Sequence, residues 1–528
     1  MSTLIIPPWI SFRPYEDKNG KFALISNARM HELAFIEEFH VILMEEIGKE
    51  KTSTSIGDLK KKYPGYESEI NEIIAELLDN DIIISGLPKS NSYKSQFPSA
   101  PPPYSIGNSD KSNDYTSLEL SAISRIEQAG YLYSFFWEIT YKCNEACIHC
   151  YNPGAAHKKG DKNKRKTDLL TRNETIKLLD DLVEIGVFRL LLSGGEAFLH
   201  KDFFFILEEA KKRNFQVIIF TNGLLLDEKT LDRLENLYPD EIGITIYSDD
   251  DQRHDEVTRI GGSHEKSINA LKELHKRGIR THTKTPLMKE TANDFEATRE
   301  LSDSLGSRQT VDGYLVAGND NNLDPIKLNL DINQIAELAF VKGSPYFIDK
   351  SNNFGRRDRD AKQSVCSAGI NIMSITPNGK ITTCPSLPLE VADLREKSMV
   401  EVWKDKDNVK QWKPQVRPSR IDNEVRAIKI FDPDNPAISH AKLSNARPGT
   451  LAEWRSIKLE NYIECGTHDR CTWCNAKCPG AAMNETGDPL EKSEVQCKIA
   501  YAKMVVAQAL ESGKTKNQVI EMVRNQYS

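Results

Sequence analysis

Three cysteines stand close together in the stretch TYKCNEACIHCYNPG. Cys143, Cys147 and Cys150 follow directly after a predicted strand, so one short loop can bring three thiolates around one face of a metal centre. Four cysteines saturate an iron–sulfur cluster, whereas three leave one iron free for an exchangeable ligand. The alternative is a zinc site completed by His149 or His157, because cysteine and histidine both suit zinc.

The other cysteines lie in the last third of the chain. Seven thiolates fit two four-iron clusters as four plus three. Zinc is the alternative here too, because the CTWC segment has the spacing of a zinc knuckle. Disulfides are disfavoured in a cytoplasmic chain. The seven residues are Cys366, Cys384, Cys465, Cys471, Cys474, Cys478 and Cys497.

The composition indicates an ordinary globular protein. The chain has 528 residues, of which 39% are hydrophobic and 28% charged, and this length suits two to four domains. No apolar run reaches the roughly 20 residues that span a bilayer, and the N-terminus lacks a charged leader and a cleavage site. We therefore expect a cytoplasmic protein with no membrane partner. The formal net charge of −7 disfavours a nucleic-acid partner.

The cysteine loop must be positioned by the segment that contains it, where strands alternate with helices. The predicted strands are LYSFFWEIT, FRLLLSGG, FQVIIFTNG, EIGITIYS, IRTHTKTPL and VDGYLVAG, with helices over 173–185, 203–213 and 264–277 among them. Such alternation predicts an α/β fold with a parallel sheet, here a partial six-unit barrel. Chemistry in such barrels sits at the carboxyl ends of the strands, where all the motifs fall.

Four regions follow from these patterns. Residues 1–86 combine a hairpin, helices over 28–48, 55–62 and 66–80, and a closing strand DIIISG, which makes a winged-helix-like module. Residues 87–116 are rich in Ser, Pro and Asn and predict a linker. The barrel occupies 117–349, and 350–528 is a cysteine-rich domain with a helical tail.

The order of the motifs resembles the radical S-adenosylmethionine superfamily. CNEACIHC, LLSGGEAF, TNG and GITIYS stand at successive strand ends, and HDEVTRIGGSHEKSINALKELHKRG resembles the segment after the fourth strand of peptide-modifying members. The resemblance implies that Cys143, Cys147 and Cys150 hold a [4Fe–4S] cluster whose free iron chelates S-adenosylmethionine. One electron, from a reductant such as flavodoxin or ferredoxin, would then yield methionine and a 5′-deoxyadenosyl radical.

The same resemblance implies contacts to the cofactor. Gly194 and Gly195 would let backbone approach the methionine moiety, and Glu196 would accept a hydrogen bond from its ammonium group. Asn222 and Ser248 would contact the ribose or carboxylate, with helix capping as the alternative. Lys284 faces either the pocket or solvent. Further polar candidates, each with a capping or surface role as the alternative, are His254, Asp255 and Asp312.

Cys366, Gly379 and Cys384 resemble the first half of a SPASM domain, which carries auxiliary clusters. In the second half the first two gaps are exchanged, giving Cys-x5-Cys-x2-Cys-x3-Cys. By order, the resemblance assigns the distal cluster to Cys465, Cys471, Cys474 and Cys497. The cluster nearer the barrel would take Cys366, Cys384 and Cys478 and keep a place open.

The N-terminal module resembles the recognition elements that bind the leader of ribosomally made peptides by strand addition. Together these resemblances imply a peptide maturase that forms a crosslink or thioether, or epimerises or oxidises its precursor. Within the class, the alternatives are a maturase of a protein, of the sulfatase-activating type, and a small-molecule dehydrogenase. The alternative from another class is an iron–sulfur transcription regulator with a DNA-binding winged helix.

Overall fold

A computed structural model describes eleven stretches of the chain: 3–30, 32–48, 54–85, 109–152, 169–319, 322–348, 366–405, 451–455, 469–474, 478–487 and 489–527. The predicted linker up to residue 108, His157 and Cys465 lie outside these residues. Within them, no helix is long and apolar enough to cross a membrane.

The N-terminal module contains two small sheets and three helices. The sheets have the strand orders β2-β3-β4 and β5-β1-β6. The predicted hairpin, the second and third helices and the closing strand are all present. The elements are β1 (Thr3–Ile5), β2 (Ile10–Asp17), β3 (Gly20–Asn27), β4 (Glu32–Glu37), α1 (Phe39–Ile47), β5 (Thr54–Ser55), α2 (Ile56–Lys62), α3 (Glu67–Asp79) and β6 (Ile84–Ser85).

The predicted helix over 28–48 is wrong in its first half. Leu33 and Ile36, which supported it by helical spacing, lie in β4, and α1 begins only at Phe39. Strand β4 pairs with β3 along its whole length, and the ring of Phe35 stacks on that of Phe22 at 5.3 Å. Backbone pairing and this cross-strand contact outweigh the local periodicity.

The central part is a parallel sheet with helices on its outer face. Its six strands run in chain order from β7 to β12, which confirms the partial barrel. The elements are α4 (Ser109–Gln128), β7 (Ser134–Thr140), α5 (Arg172–Glu184), β8 (Arg189–Gly194), α6 (Phe203–Lys212), β9 (Gln216–Thr221), α7 (Glu228–Leu237), β10 (Glu241–Thr245), α8 (Asp251–Thr258), α9 (Ser263–Lys276), β11 (Thr281–Pro286), α10 (Phe295–Ser304) and β12 (Arg308–Asp312).

Two boundaries differ from prediction. Helix α4 includes residues 109–116, which the sequence assigned to the linker, because Ala122 and Ile126 anchor this helix in a core with β3.

The last barrel strand is β12 rather than VDGYLVAG. It is held by backbone pairing to β11, and its side chains are partly or largely exposed, so hydrophobic patterning did not reveal it.

The C-terminal part extends the barrel sheet. Strand β13 pairs in parallel with β7 on the side away from β8, and β14 and β15 continue the sheet antiparallel. The elements are α11 (Asp324–Lys327), α12 (Ile332–Leu338), β13 (Ile372–Ile375), β14 (Lys380–Cys384), β15 (Leu387–Asp393), α13 (Met399–Lys404), α14 (Leu451–Arg455), α15 (Pro479–Thr486), α16 (Glu494–Glu511) and α17 (Lys516–Tyr527).

Alternation along β7 separates the core from the barrel interior. Phe135, Trp137 and Ile139 are buried in the main hydrophobic core with the surrounding helices. Successive side chains of a strand point to opposite faces, so Phe136 and Glu138 face the interior of the barrel. The first barrel strand thus supports the helices with one face and lines the site with the other.

The N-terminal module lies at the amino ends of the barrel strands. Ser11 Oγ donates to the carbonyl oxygen of Phe215 at 3.0 Å, and Arg13 Nε donates to that of Val187 at 2.9 Å. Phe215 and Val187 stand just before β9 and β8. The module therefore packs against the end of the barrel opposite to the strand ends that carry the motifs.

Candidate functional site

The cysteine loop, residues 143–150, follows β7 and is held on one side by the end of β8. The backbone N–H of Gly195 donates to Thr140 O, and that of Glu196 donates to Lys142 O, both at 2.7 Å. A Cβ on Gly194 would lie 2.1 Å from Thr140 O, and one on Gly195 would lie 2.3 Å from Lys142 O. Only glycine fits at these two positions, because the loop backbone occupies the space a side chain would need.

The other side of the loop is held by helix α8. Ala146 N–H donates to Thr258 O and Ile148 N–H to Val257 O, both at 3.0 Å. The segment HDEVTRIGGSH thus supports the cysteines from its own backbone. Asp255 has the capping role named as its alternative, since it accepts hydrogen bonds from the backbone of Gly262 and His264 and from Ser263 Oγ at the start of α9.

Glu196 joins the ends of β8 and β9. Its fully buried carboxylate accepts hydrogen bonds from Thr221 Oγ1 and Asn222 N–H at 2.8 Å, and from Phe198 N–H at 3.0 Å. Burial raises the pKa of Glu196. Asn222 Nδ2 in turn donates to Asn144 Oδ1 at 2.7 Å. The predicted residues Glu196 and Asn222 therefore lie together with the cysteine loop.

The three thiols lie in a largely buried environment. Burial raises the pKa of Cys143 to about 12 and raises that of Cys147 as well. The Cys147 thiol donates to Glu145 Oε2 at 3.2 Å and accepts from the Tyr247 hydroxyl at 3.5 Å. His149, one of the alternative zinc ligands, is bonded to Tyr247 through Nε2 at 2.9 Å.

The donor set fits an iron–sulfur cluster, because the three cysteine side chains of the loop are soft sulfur ligands. Such ligands must lose their protons to bind metal, so the raised pKa values apply to the metal-free loop. A cubane cluster takes each cysteine on a separate iron, whereas a zinc ion gathers all its ligands around one point.

Two further predicted residues have structural partners. Ser248 is fully buried, and its hydroxyl donates to Asp294 Oδ2 at 2.6 Å and accepts from Asp250 N–H at 3.0 Å. His254 is fully buried and accepts from the backbone N–H of Tyr247 through Nδ1 at 3.3 Å. Burial lowers the pKa of His254 to about 3, so the ring is neutral and positions Tyr247. Asp312, at the end of β12, is exposed.

Three C-terminal thiols form a second group beside the barrel. Burial raises the pKa of Cys366 and raises that of Cys384 to about 12, and the nearby Cys478 thiol adds to both shifts. Cys384 ends β14 in the extended sheet, and Cys478 caps α15 by accepting from Ala481 N–H at 3.4 Å. These are the three residues that the sequence assigned to the cluster nearer the barrel.

The distal cysteines are only partly described. Cys471 and Cys474 share one turn, in which Cys474 N–H donates to Cys471 O at 3.2 Å. Trp473 packs in a core with residues of α16, the helix whose first turns carry Cys497. Cys465, the fourth predicted member, lies outside the described residues.

Sequence reasoning missed Glu138, a buried carboxylate between the two thiol groups. It accepts hydrogen bonds from the hydroxyls of Tyr151 at 3.3 Å and Tyr141 at 3.4 Å, on either side of the cysteine loop. Burial raises the pKa of Glu138 to about 7, and its charge contributes to the raised pKa of Cys384. The available signal was one acidic residue inside the apolar strand SFFWEIT.

Comparison with known proteins agrees with this geometry. Residues 137–302 match the model of the Radical SAM superfamily. The chain is 22% identical over 291 residues to an AdoMet-dependent heme synthase of Methanosarcina barkeri, covering 51% of this chain and 81% of that protein. It is 24% identical over 281 residues to a PqqA peptide cyclase of Granulibacter bethesdensis, covering 50% and 72%.

Among solved structures, Streptococcus suis SuiB bound to the precursor peptide SuiA is similar with a TM-score of 0.46 and 14% identity, over 76% of this chain and 88% of that one. Residues 137–302 are therefore a Radical SAM domain, as predicted, and the α/β barrel fold and the cofactor pair of a [4Fe–4S] cluster and S-adenosylmethionine are confirmed for this part of the chain.

Proposed function

From the radical SAM domain that residues 137–302 form, we propose that the protein is a maturase of a ribosomally made precursor peptide. The observation that carries the proposal is the pair of three-thiol groups at the barrel: Cys143, Cys147 and Cys150 on the loop after β7, and Cys366, Cys384 and Cys478 beside the sheet extension. The relative named PqqA peptide cyclase, aligned over half of this chain, supports a peptide substrate.

The first group would hold the cluster to which S-adenosylmethionine binds. With both bound, the site supplies a 5′-deoxyadenosyl radical that removes a hydrogen atom from a substrate C–H bond. The chain's own residues fix the loop and keep water away: Tyr247, Val257, Met288 and Leu315 are buried in one cluster, against which Cys147 packs. Gly194, Gly195, Glu196 and Asn222 hold the neighbouring strand ends in register with the loop.

The C-terminal cysteines would hold two auxiliary clusters. Cys366, Cys384 and Cys478 leave a place open beside the barrel, where a substrate group or another ligand can bind. The distal cluster would use Cys465, Cys471, Cys474 and Cys497. Such clusters would accept or supply the electron needed to complete the reaction. A protein such as flavodoxin or ferredoxin would be the external reductant.

The N-terminal module would bind the leader of the precursor. Strand β4 is an edge strand, and among the described residues no further strand pairs with its outer side. An open edge can accept an extended peptide as an additional strand. Ala34, Ile36 and Phe39 are only partly buried against the module's core, so they can receive alternate side chains of such a peptide.

A heme-related reaction is the second candidate, because the heme synthase of Methanosarcina barkeri aligns over 51% of this chain. The N-terminal module favours the peptide, because the open edge of β4 can accept an extended chain as an additional strand. The two candidates are separated by adding either the precursor peptide or an iron porphyrin to the same reaction.

The direct test uses the reconstituted full chain, dithionite, S-adenosylmethionine and the short peptide encoded beside the gene. We expect a mass change in the core of that peptide, and loss of the change in Cys147→Ala. Lys201→Ala, at an exposed position, is the matched control that keeps it. An unchanged peptide together with a converted iron porphyrin would refute the peptide proposal.

A further inference from the structure

Lys284 projects into the barrel from the middle of β11. Its neighbours on the strand, Thr283 and Thr285, are buried on the opposite face, where Thr283 Oγ1 donates to Ser302 Oγ of α10 at 2.8 Å. Successive residues of a strand alternate in direction, so Lys284 points to the interior. Its strand partners are Thr245 on β10 and Thr310 on β12.

The ammonium group of Lys284 lies against a pair of aromatic rings. Its Nζ lies 4.1 Å from the centre of the Phe220 ring, which contacts Phe136 with ring centres 6.0 Å apart. Lys284 as a whole residue is partly buried. A cation over an aromatic face gains some stabilisation, but this contact does not replace the hydration that burial removes.

Lys284 also has no carboxylate partner within ion-pair distance among the described residues, although Asp312 acts on it from further away. Other basic side chains on this face differ: His282, two residues earlier, is bonded to Glu241 at 3.0 Å, and Arg280 also pairs with Glu241. An unpaired buried charge is costly, and interior charges of this kind are enriched at functional sites.

We propose that Lys284 is the anchor of a carboxylate-binding site inside the barrel. One ammonium group matches one carboxylate in charge, and the apolar wall of Phe136 and Phe220 strengthens a charge-assisted hydrogen bond by excluding water. The inference rests on the proposed function for the identity of the occupant. Two molecules that enter the barrel carry this chemistry: S-adenosylmethionine, through its methionine carboxylate, and a peptide, through an acidic side chain.

The first experiment measures the accessibility of the Lys284 amine. Reconstituted full-length protein is acetylated briefly with acetic anhydride, and labelling is read by mass spectrometry with four probes: S-adenosylmethionine, decarboxylated S-adenosylmethionine, and capped Ala-Glu-Ala and Ala-Gln-Ala peptides. Exposed Lys289, five residues further along, is the internal control, because its labelling should not respond to any probe.

We expect one carboxylate probe to slow labelling of Lys284 about tenfold, the effect of one charge-assisted hydrogen bond, while its carboxylate-free counterpart does not. Slowing by the glutamate peptide assigns the site to the substrate. Slowing by S-adenosylmethionine assigns it to the cofactor only together with weaker binding to Lys284→Met in the second experiment, because the cluster iron itself would chelate the carboxylate. Labelling that no probe changes, or that each member of a pair changes equally, would overturn the proposal.

The second experiment measures binding of whichever probe protects Lys284. Equilibrium dialysis should show about tenfold weaker binding to Lys284→Met and near-normal binding to Lys284→Arg, which keeps the charge. Lys289→Met should bind as the wild type does. Wild-type affinity in a folded, iron-loaded Lys284→Met protein would contradict the proposal. Both experiments read binding, so they remain informative if no peptide is ever modified.

Discussion

The side-chain amide of Asn222 donates a hydrogen bond to the side-chain oxygen of Asn144 at 2.7 Å, so the end of β9 is tied directly to the cysteine loop. Asn222 also gives its backbone N–H to the buried carboxylate of Glu196. The loop that carries Cys143, Cys147 and Cys150 is therefore positioned by two neighbouring strand ends, and this explains why TNG and SGGE accompany the cysteines in the sequence.

Asn222→Ala should loosen the cysteine loop without unfolding the barrel. The change removes the bond to Asn144 and the bond that Asn222 Oδ1 accepts from Leu224 N–H. It leaves Asn144 with an unmet acceptor, a cost of about 1–3 kcal/mol. We expect faster loss of iron from the reconstituted protein, measured by the decay of its visible absorbance under a chelator. Asn236→Ala is the control, because Asn236 makes a comparable 2.9 Å bond to Asp232 O on exposed helix α7. Equal iron loss in both variants would contradict the positioning role.

Gly195→Ala should disrupt the contact between the β8 end and the cysteine loop. The added Cβ would lie 2.3 Å from Lys142 O, so one of the two backbones must move. We expect iron incorporation to fall several-fold while far-ultraviolet circular dichroism stays close to that of the wild type. At Gly261 a Cβ would meet no atom within 4 Å, so Gly261→Ala should load normally. Normal loading of Gly195→Ala would show that the loop tolerates displacement.

Glu138→Gln should stabilise the metal-free protein relative to the wild type, and this gain should be larger at alkaline than at acidic pH. Burial raises the pKa of Glu138 from 4.5 to about 7 in the folded chain. The folded state therefore retains a proton that the unfolded state has lost, and wild-type stability falls as the pH rises from 4.5 to 7.

The difference amounts to about 3 kcal/mol above pH 7, and glutamine does not titrate. The measurement is the melting temperature of the metal-free proteins at pH 5 and pH 8. We expect the glutamine variant to gain on the wild type at pH 8, whereas Glu69→Gln, at an exposed position of α3, should follow the wild type at both pH values. If the melting temperatures of Glu138→Gln and the wild type differ by the same amount at both pH values, Glu138 is ionised at both.

The iron content should reveal the auxiliary clusters. Three four-iron clusters predict about twelve irons per chain after anaerobic reconstitution. A double variant, Cys384→Ala with Cys478→Ala, should lose about four of them, because it removes two ligands of the three-thiol group. Metal analysis for iron and zinc gives the result. About four irons with bound zinc in the wild type would instead support the zinc alternative for the C-terminal cysteines.

The barrel could be predicted because its first four strands are short apolar runs that end in motifs. Strands β11 and β12 are polar and depend on backbone pairing with their neighbours. The helical spacing of Leu33 and Ile36 was misleading, since the pairing of β4 with β3 is a tertiary interaction that no local pattern contains.

The sequence predicts candidate site residues where one short motif supplies the side chains, as with the cysteines and Glu196. The contacts that support the loop could not be predicted, because their residues come together only in the fold. Glu138, Asn222 and Tyr247 stand on different segments and meet around the loop. The Cβ positions of Gly194 and Gly195 face the backbone of Thr140 and Lys142, so the requirement for glycine in SGGE already arises from packing within the chain. Their predicted contact with the cofactor stays a prediction.

The proposed function requires that Cys143, Cys147 and Cys150 support the cleavage of S-adenosylmethionine. The most direct measurement is 5′-deoxyadenosine, quantified by liquid chromatography and mass spectrometry after reconstituted protein is incubated with dithionite and S-adenosylmethionine. The wild type should form it, faster with its precursor peptide, and Cys147→Ala should form none. Equal formation by the wild type and Cys147→Ala, or none by an iron-loaded wild type, would contradict the claim.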